Sequence, residues 1–176
     1  MDAFIEKIVR KKKSAQDKLK VFGLIVAAVV LMFASVAFLP LIPVVGEFLG
    51  GISFFFVIGI GFGAWWLITS MNVEYEYIVT NMDLDIDRIT AQRKRKRMLS
   101  VKSKDFEICA KRNGPHFREW SKGSYPVLDY SGSPDSPDCW FAVVPVAGKP
   151  SLVLFEPDER MIQNFRRFSP NKVKFD

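Results

Sequence analysis

Residues 61–87 read GFGAWWLITSMNVEYEYIVTNMDLDID, and the chain changes character within them. Up to Met71 the run is apolar on every side of a helix. From Glu74 onward apolar and polar residues alternate: Tyr75, Tyr77 and Val79 share one face of a strand, and Leu84 and Ile86 then oppose Asp83, Asp85 and Asp87. Asn81 and Met82 separate the two alternations as a turn. A helical period gives way to a period of two, so an apolar helical part precedes a β-rich part.

Toward the N-terminus, residues 21–46 carry no charge and Val21–Leu39 is strongly apolar; Phe48–Met71 is a second uncharged run. A helix needs roughly 20 such residues to cross a hydrocarbon core of about 30 Å. Pro40, Pro43, Gly46 and Glu47 break the helix between the runs. Residues 21–71 therefore read as a transmembrane hairpin with spans at about 21–40 and 49–71. A cleaved signal peptide would have a shorter apolar core and a small-residue cleavage site. Two helices apolar all round would need far more protein to cover them as a soluble core pair.

The averages conceal this layout. The 176 residues are 49% hydrophobic and 25% charged, with a net charge of +6. That charge divides into +4 over residues 1–20 (seven basic, three acidic), −1 at Glu47 and +3 over residues 72–176 (eighteen basic, fifteen acidic). Lys and Arg flank both spans and are absent from the connecting turn, which predicts a multi-pass protein of the cell membrane with both termini in the cytoplasm. Trp65 and Trp66 suit the interfacial aromatic belt. Neither span holds an ionisable residue for a proton or ion path, so transport chemistry is not expected.

Within the second span, Gly59 and Gly63 are four apart on one helix face, and Ala27 and Ala34 share a face of the first. Packing within the hairpin is expected, with association to another copy or another membrane protein as the alternative. The Gly59, Gly61, Gly63 pattern lacks the preceding strand that a nucleotide loop requires. In residues 1–20, Phe4, Ile5, Ile8 and Val9 recur at helical spacing before Arg10, Lys11, Lys12 and Lys13. This predicts a short amphipathic juxtamembrane helix whose cations set topology and attract anionic lipid.

Beyond the first two strands, residues 96–101, 106–111, 127–130, 139–146 and 151–155 are further strands, about seven in all. Residues 139–146 are apolar on both faces, as in a central, covered strand. Ala147-Gly148-Lys149-Pro150 makes a turn. A helix then follows, with Pro157 at its first position, Asp158 and Glu159 in its first turn, and Arg166 and Arg167 in its last. Met161, Ile162, Phe165 and Phe168 form its apolar stripe, and Ser169-Pro170 ends it. The β-rich domain is assigned to residues 72–170, and 171–176 to a tail.

An all-β domain of antiparallel strands closed by one amphipathic helix resembles the pleckstrin-homology superfold and implies a PH-like barrel or sandwich. Three stretches also make the whole chain resemble an uncharacterised family of short two-span membrane proteins from Gram-positive bacteria: residues 74–81 (EYEYIVTN), residues 91–97 (AQRKRKR) and Phe155-Glu156-Pro157. That resemblance implies architecture and no activity. Phosphoinositide-binding PH domains generally carry basic residues around the first hairpin loop. Here Thr80-Asn81-Met82-Asp83, followed by Asp85 and Asp87, is acidic, so inositol-phosphate binding is not carried over.

The most conspicuous local feature is Arg93-Lys94-Arg95-Lys96-Arg97. On a strand Arg93, Arg95 and Arg97 share one face. They can pair with Asp83, Asp85 and Asp87 across a hairpin, or meet anionic phospholipid headgroups. Nucleic acid is not an expected partner, because no aromatics interleave with the run. Cys109 and Cys139 read as buried thiols, and two cysteines cannot close a zinc site. His116, the one histidine, has no nucleophile motif beside it. Residues 112–138 are long enough to be a binding loop or to stay unstructured. No catalytic residue, metal site or cofactor is expected. The sequence points to a non-enzymatic, membrane-anchored interaction module, or alternatively to an accessory subunit of a transport or envelope complex acting through its hairpin.

Overall fold

A computed structural model describes residues 4–41 and 46–175, with side chains in the second stretch from residue 52 onward. The chain divides into two units, Lys13–Asn72 and Met1–Lys12 joined with Val73–Asp176.

The first unit is a pair of helices, α1 (Ala15–Phe38) and α2 (Gly46–Ser70). α1 starts inside the basic segment because Ser14 and Asp17 form a reciprocal cap: the Ser14 hydroxyl accepts the Asp17 N–H at 3.2 Å and the Asp17 carboxylate accepts the Ser14 N–H at 3.1 Å. Lys18 and Lys20 thus belong to α1. Leu39–Leu41 form a short 3-10 turn; residues 42–45 of the expected Pro40–Glu47 connection lie outside the described residues. Ala15–Leu41 and Ile52–Ser70, whose 18-residue apolar windows have mean hydropathies of 2.7 and 1.9, are long and apolar enough to cross a membrane.

The seam between the helices differs from the expected one. Ala28, Ser35 and Ser53 are buried, and a Cβ on Gly61 would meet Met32 Cε at 3.0 Å. Gly59 and Gly63 have nothing within 4 Å of such a Cβ. Ala27 is exposed and Ala34 half-buried. Two residues advance a helix by about 200°, so Gly61 points almost opposite to its neighbours on either side.

The second unit holds two four-stranded sheets, which do not close into a barrel. Sheet 1 has the order β1-β2-β3-β4, from β1 (Phe4–Arg10), β2 (Val73–Thr80), β3 (Asp83–Thr90) and β4 (Lys94–Lys102), all antiparallel. Sheet 2 has the order β5-β7-β8-β6, from β5 (Ile108–Lys111), β6 (Val127–Asp129), β7 (Trp140–Val146) and β8 (Lys149–Phe155). The expected amphipathic helix at Phe4–Val9 is instead β1, paired with β2 from Phe4–Thr80 to Arg10–Glu74. Ile5 and Val9 face the core, and Phe4 and Ile8 face outward. The spacing that suits a helix suits this strand equally well, and the partner strand lies beyond both long helices. β6 pairs with β8 in parallel, so the succession is not purely antiparallel.

One core lies between the core-facing sides of the two sheets and α4 (Glu159–Phe168). Tyr77, Val79, Ile86, Phe106, Phe155, Met161 and Phe165 are fully buried in it. The Tyr77 hydroxyl donates to Tyr130 O at 2.7 Å and accepts the Glu156 N–H at 3.2 Å. A second cluster covers the other face of sheet 2, where Phe141, Val143 and Leu154 pack against Phe117, Trp120 and Tyr125. This explains why β7 is apolar on both faces. It also assigns the 112–138 segment, which contains α3 (Pro115–Trp120) and β6: its aromatic side chains roof sheet 2.

α4 begins two residues later than expected, at Glu159 instead of Pro157. Asp158 is the cap, its side chain accepting the Met161 N–H at 2.8 Å, so Pro157 stands just outside. The expected tail is part of the domain as well. Cys109 N–H donates to Lys172 O at 2.8 Å, Lys174 N–H returns to Cys109 O at 2.9 Å, and Val173 is buried.

Candidate functional site

The basic run enters β4, and the strand sorts its cations by face. A register shift lies between Ile86 and Asp87: Ile86 pairs with Leu99 and Asp87 with Arg97, leaving Met98 as the extra residue of a bulge. Without it, Arg97 would share the face of Leu99. With it, Leu99 and Val101 stay in or against the core while Arg95 and Arg97 turn to the outer face of sheet 1 beside Glu76, Asp85 and Asp87.

Those two arginines are neutralised there. An Arg95 Nη2–H donates to the Glu76 carboxylate at 2.6 Å. Arg97 donates through Nε to Asp87 at 2.6 Å and through Nη1 to Asp85 at 2.8 Å. The carboxylates are the buried partners: Glu76 is 2% exposed and Asp87 3%. Burial, then a hydrogen bond with Glu6, pushes the Glu76 carboxyl above the usual carboxylate range, while Arg95 pulls it back. The hydrogen bond to Asp87 raises Arg97 further. Of the alternatives the sequence left open, Arg95 and Arg97 take cross-strand pairing, with Glu76 in place of Asp83.

Lys94 and Lys96 turn the other way. Lys96 lies directly opposite Arg88 and Lys94 opposite Thr90, on the same side of the sheet as Tyr75 and Leu84 but beyond the core, and all three cations are exposed. Among the described residues none of the three has an ion-pair partner. Like charges directly opposite on a sheet cost about 0.2–1 kcal/mol, so Arg88–Lys96 is a local liability. The sequence reading missed Arg88 and Glu76. Extending the period of two past Asp87 to Thr90 would have put Arg88 on the face of Leu84 and Ile86.

The same end of sheet 1 carries the remaining basic candidates. Arg10 pairs with Glu74 at 2.9 Å. Lys11 N–H donates to Val73 O at 2.9 Å and Lys12 N–H to Gly132 O at 2.8 Å, and both side chains are exposed. Gly132 is required there, since a Cβ would lie 2.8 Å from Val9 and 2.9 Å from Arg10 O. Lys13 opens the helical unit. Arg93 sits in the β3–β4 turn after Ala91 and Gln92, whose φ values of 54° and 56° are left-handed without being glycine.

Among the described residues no comparable convergence of reactive groups is found elsewhere. Cys109 and Cys139 are free and buried; burial raises the Cys109 thiol well above its usual range and pushes Cys139 up to about 12. His116 lies in α3. Among the described residues no group of three or more His, Cys, Asp or Glu side chains could hold a metal ion. A cleft of about 360 Å³ is lined by Lys111, Asp138, Trp140, Asp158, Ile162 and Phe175 among others. Its Asp158 is engaged in capping α4 and in pairing with Arg160.

A family model described as "Bacterial PH-like domain (DUF6106)" matches residues 1–175. The chain belongs to this bacterial PH-like family. No curated protein and no solved structure matches it. The match runs through both helices, and the pairing of β1 with β2 joins the first strand, ahead of the helical pair, to the β-rich unit that follows it. What the sequence suggested as the first hairpin, Thr80–Asp83, is therefore the second strand connection of sheet 1. The connection between its first two strands is the helical unit itself.

Proposed function

We propose that this chain is a non-enzymatic, membrane-anchored interaction module. α1 and α2 cross the cell membrane as a hairpin and present the PH-like domain at the inner leaflet, with both termini in the cytoplasm. The observation that carries this reading is the pairing of β1, which precedes α1, with β2, which follows α2. A membrane-crossing chain must cross an even number of times to bring those strands to one side. Two sufficiently long apolar helices meet that requirement, and the basic residues flanking them favour the cytoplasmic side.

Carbonate extraction of native membranes tests the anchor, and the chain is expected to stay in the pellet. An impermeant thiol reagent tests the orientation: Leu41→Cys, at an exposed position in the connection between the helices, is expected to be labelled in intact cells, and Ser124→Cys only after permeabilisation. Quantitative release by carbonate, or labelling of Ser124→Cys from outside, would refute the reading.

A second reading, an accessory subunit acting through its hairpin, is favoured by the open space at Gly59 and Gly63. Cysteine crosslinking at those positions in native membranes decides it. Capture of one membrane partner supports a subunit role, and the absence of any adduct opposes it.

A further inference from the structure

We propose that Arg88, Lys94 and Lys96, with Lys11 and Lys12 across the same end of sheet 1, form a docking surface for an anionic phospholipid membrane, whereas Arg95 and Arg97 are structural. The inference rests on the anchoring reading and deepens it by naming the residues that meet the lipid. Five consecutive cations look equivalent in the sequence, but the bulge at Met98 gives alternate ones different environments. Arg95 and Arg97 bind three carboxylates of the same sheet, two of them nearly fully buried, so their charge is satisfied within the domain. Arg88, Lys94 and Lys96 share the opposite side, have no carboxylate partner among the described residues, and include a directly opposed like-charge pair. A protein surface that tolerates such a pair without an internal anion is suited to an external one.

The register adds location. β1 leaves the sheet at Arg10, β2 enters at Val73, and the β3–β4 turn follows Thr90; Arg10 pairs with Glu74, Glu74 with Ile89 and Ile89 with Arg95. The two points where the chain departs for and returns from the helical unit are therefore at the same sheet end as Lys94 and Lys96. Along the chain only residues 11–14 and 71–72 separate this end from α1 and α2, so an anchor there keeps it within reach of the headgroups. Phosphates in a bilayer form an extended array, which matches five cations spread over three strand ends better than a single soluble anion would. Each Lys or Arg near an anionic leaflet is worth about fivefold in the docking equilibrium.

The full chain, reconstituted in nanodiscs of neutral lipid or of neutral lipid with phosphatidylglycerol, tests this through an environment-sensitive dye on Gln92→Cys. Cys109 and Cys139 are buried and leave the introduced thiol selectively reactive. The expected result is a blue shift only in anionic discs, reversed by molar salt as the screening length falls to about 3 Å. Combined Arg88→Gln, Lys94→Gln and Lys96→Gln should lower the docking equilibrium by about 100-fold. Removing equal charge elsewhere, by Arg118→Gln, Lys122→Gln and Lys149→Gln, should leave the shift in place. An identical shift in neutral discs, retention of the shift by the first variant, or equal loss in both variants would overturn the proposal. Reversal by inorganic phosphate at constant ionic strength would assign the site to a soluble phosphate and overturn the membrane assignment. Failure of the anchor is read separately: a carbonate-soluble chain refutes anchoring, and its flotation with anionic but not neutral vesicles would still report the patch.

Discussion

Sheet 1 and sheet 2 are both four-stranded, yet they bury themselves in different ways. Sheet 1 has one face in the core and an outer face of ion pairs, with Glu76, Asp85 and Asp87 under Arg95 and Arg97. Sheet 2 is covered on both faces, by the main core on one side and by Phe117, Trp120 and Tyr125 on the other. The difference separates two means of burying a β-surface. One depends on apolar area supplied by a long connection, the other on charge neutralisation across strands.

The largest test of this contrast is on sheet 2. Phe141 is fully buried and stacks edge-on against Phe117 at 5.3 Å. Phe141→Ala is expected to cost about 4 kcal/mol, measured by chemical denaturation of the detergent-solubilised chain followed through tryptophan fluorescence. A loss below 1 kcal/mol would mean that the second cluster does not support the sheet.

On sheet 1, Arg97→Gln should cost about 2 kcal/mol, because it leaves the buried Asp87 carboxylate without its charged donor. An unchanged denaturation midpoint would show solvent taking over that role.

The next effect is a dependence on pH. The folded state holds the Glu76 carboxyl above its unfolded value, so its protonated form is the one the fold favours. That contribution is fully present below the unfolded value of 4.5 and is lost as pH rises through the folded one. Sheet 1 should therefore lose stability with rising pH above 4.5, and Glu76→Gln should flatten that slope. Hydrogen exchange of the β1 and β2 amides at matched pH values checks it, and an unaltered slope in the variant would remove Glu76 as the cause.

The smallest effect has the opposite sign to that of Arg97. Lys96→Gln relieves the like-charge pair with Arg88 and should stabilise the domain by about 0.5 kcal/mol. Destabilisation by Lys96→Gln would instead make Lys96 part of the internal charge network.

What was legible in the sequence follows the same division. β2, β3 and the two-faced apolar character of β7 were readable because local alternation and burial on both faces are properties of the strand's own residues. The helical pair was readable from the length of its apolar runs. β1 was not, because Phe4, Ile5, Ile8 and Val9 fit either period over seven residues and only the distant partner Glu74–Thr80 decides between them. The parallel pairing of β6 and the roof built by α3 depend on contacts across sheet 2 that no local pattern encodes. At the candidate site the five-cation run was visible at once, but its division was not. That division rests on one extra residue at Met98, and a bulge has no fixed sequence signature.

The long route between β1 and β2 has a consequence in time. Synthesis delivers β1 first, yet its pairing partner emerges only after both helices have been made, so the edge of sheet 1 must wait, unpaired, through the whole passage of the hairpin. If the helices enter the bilayer as proposed, a failed second crossing leaves β1 and β2 on opposite sides, and the sheet is missing its first strand. Completion of this small domain would then certify that its anchor had been threaded correctly, and a chain with a bare β2 edge would be an immediate mark of misinsertion for quality control to recognise.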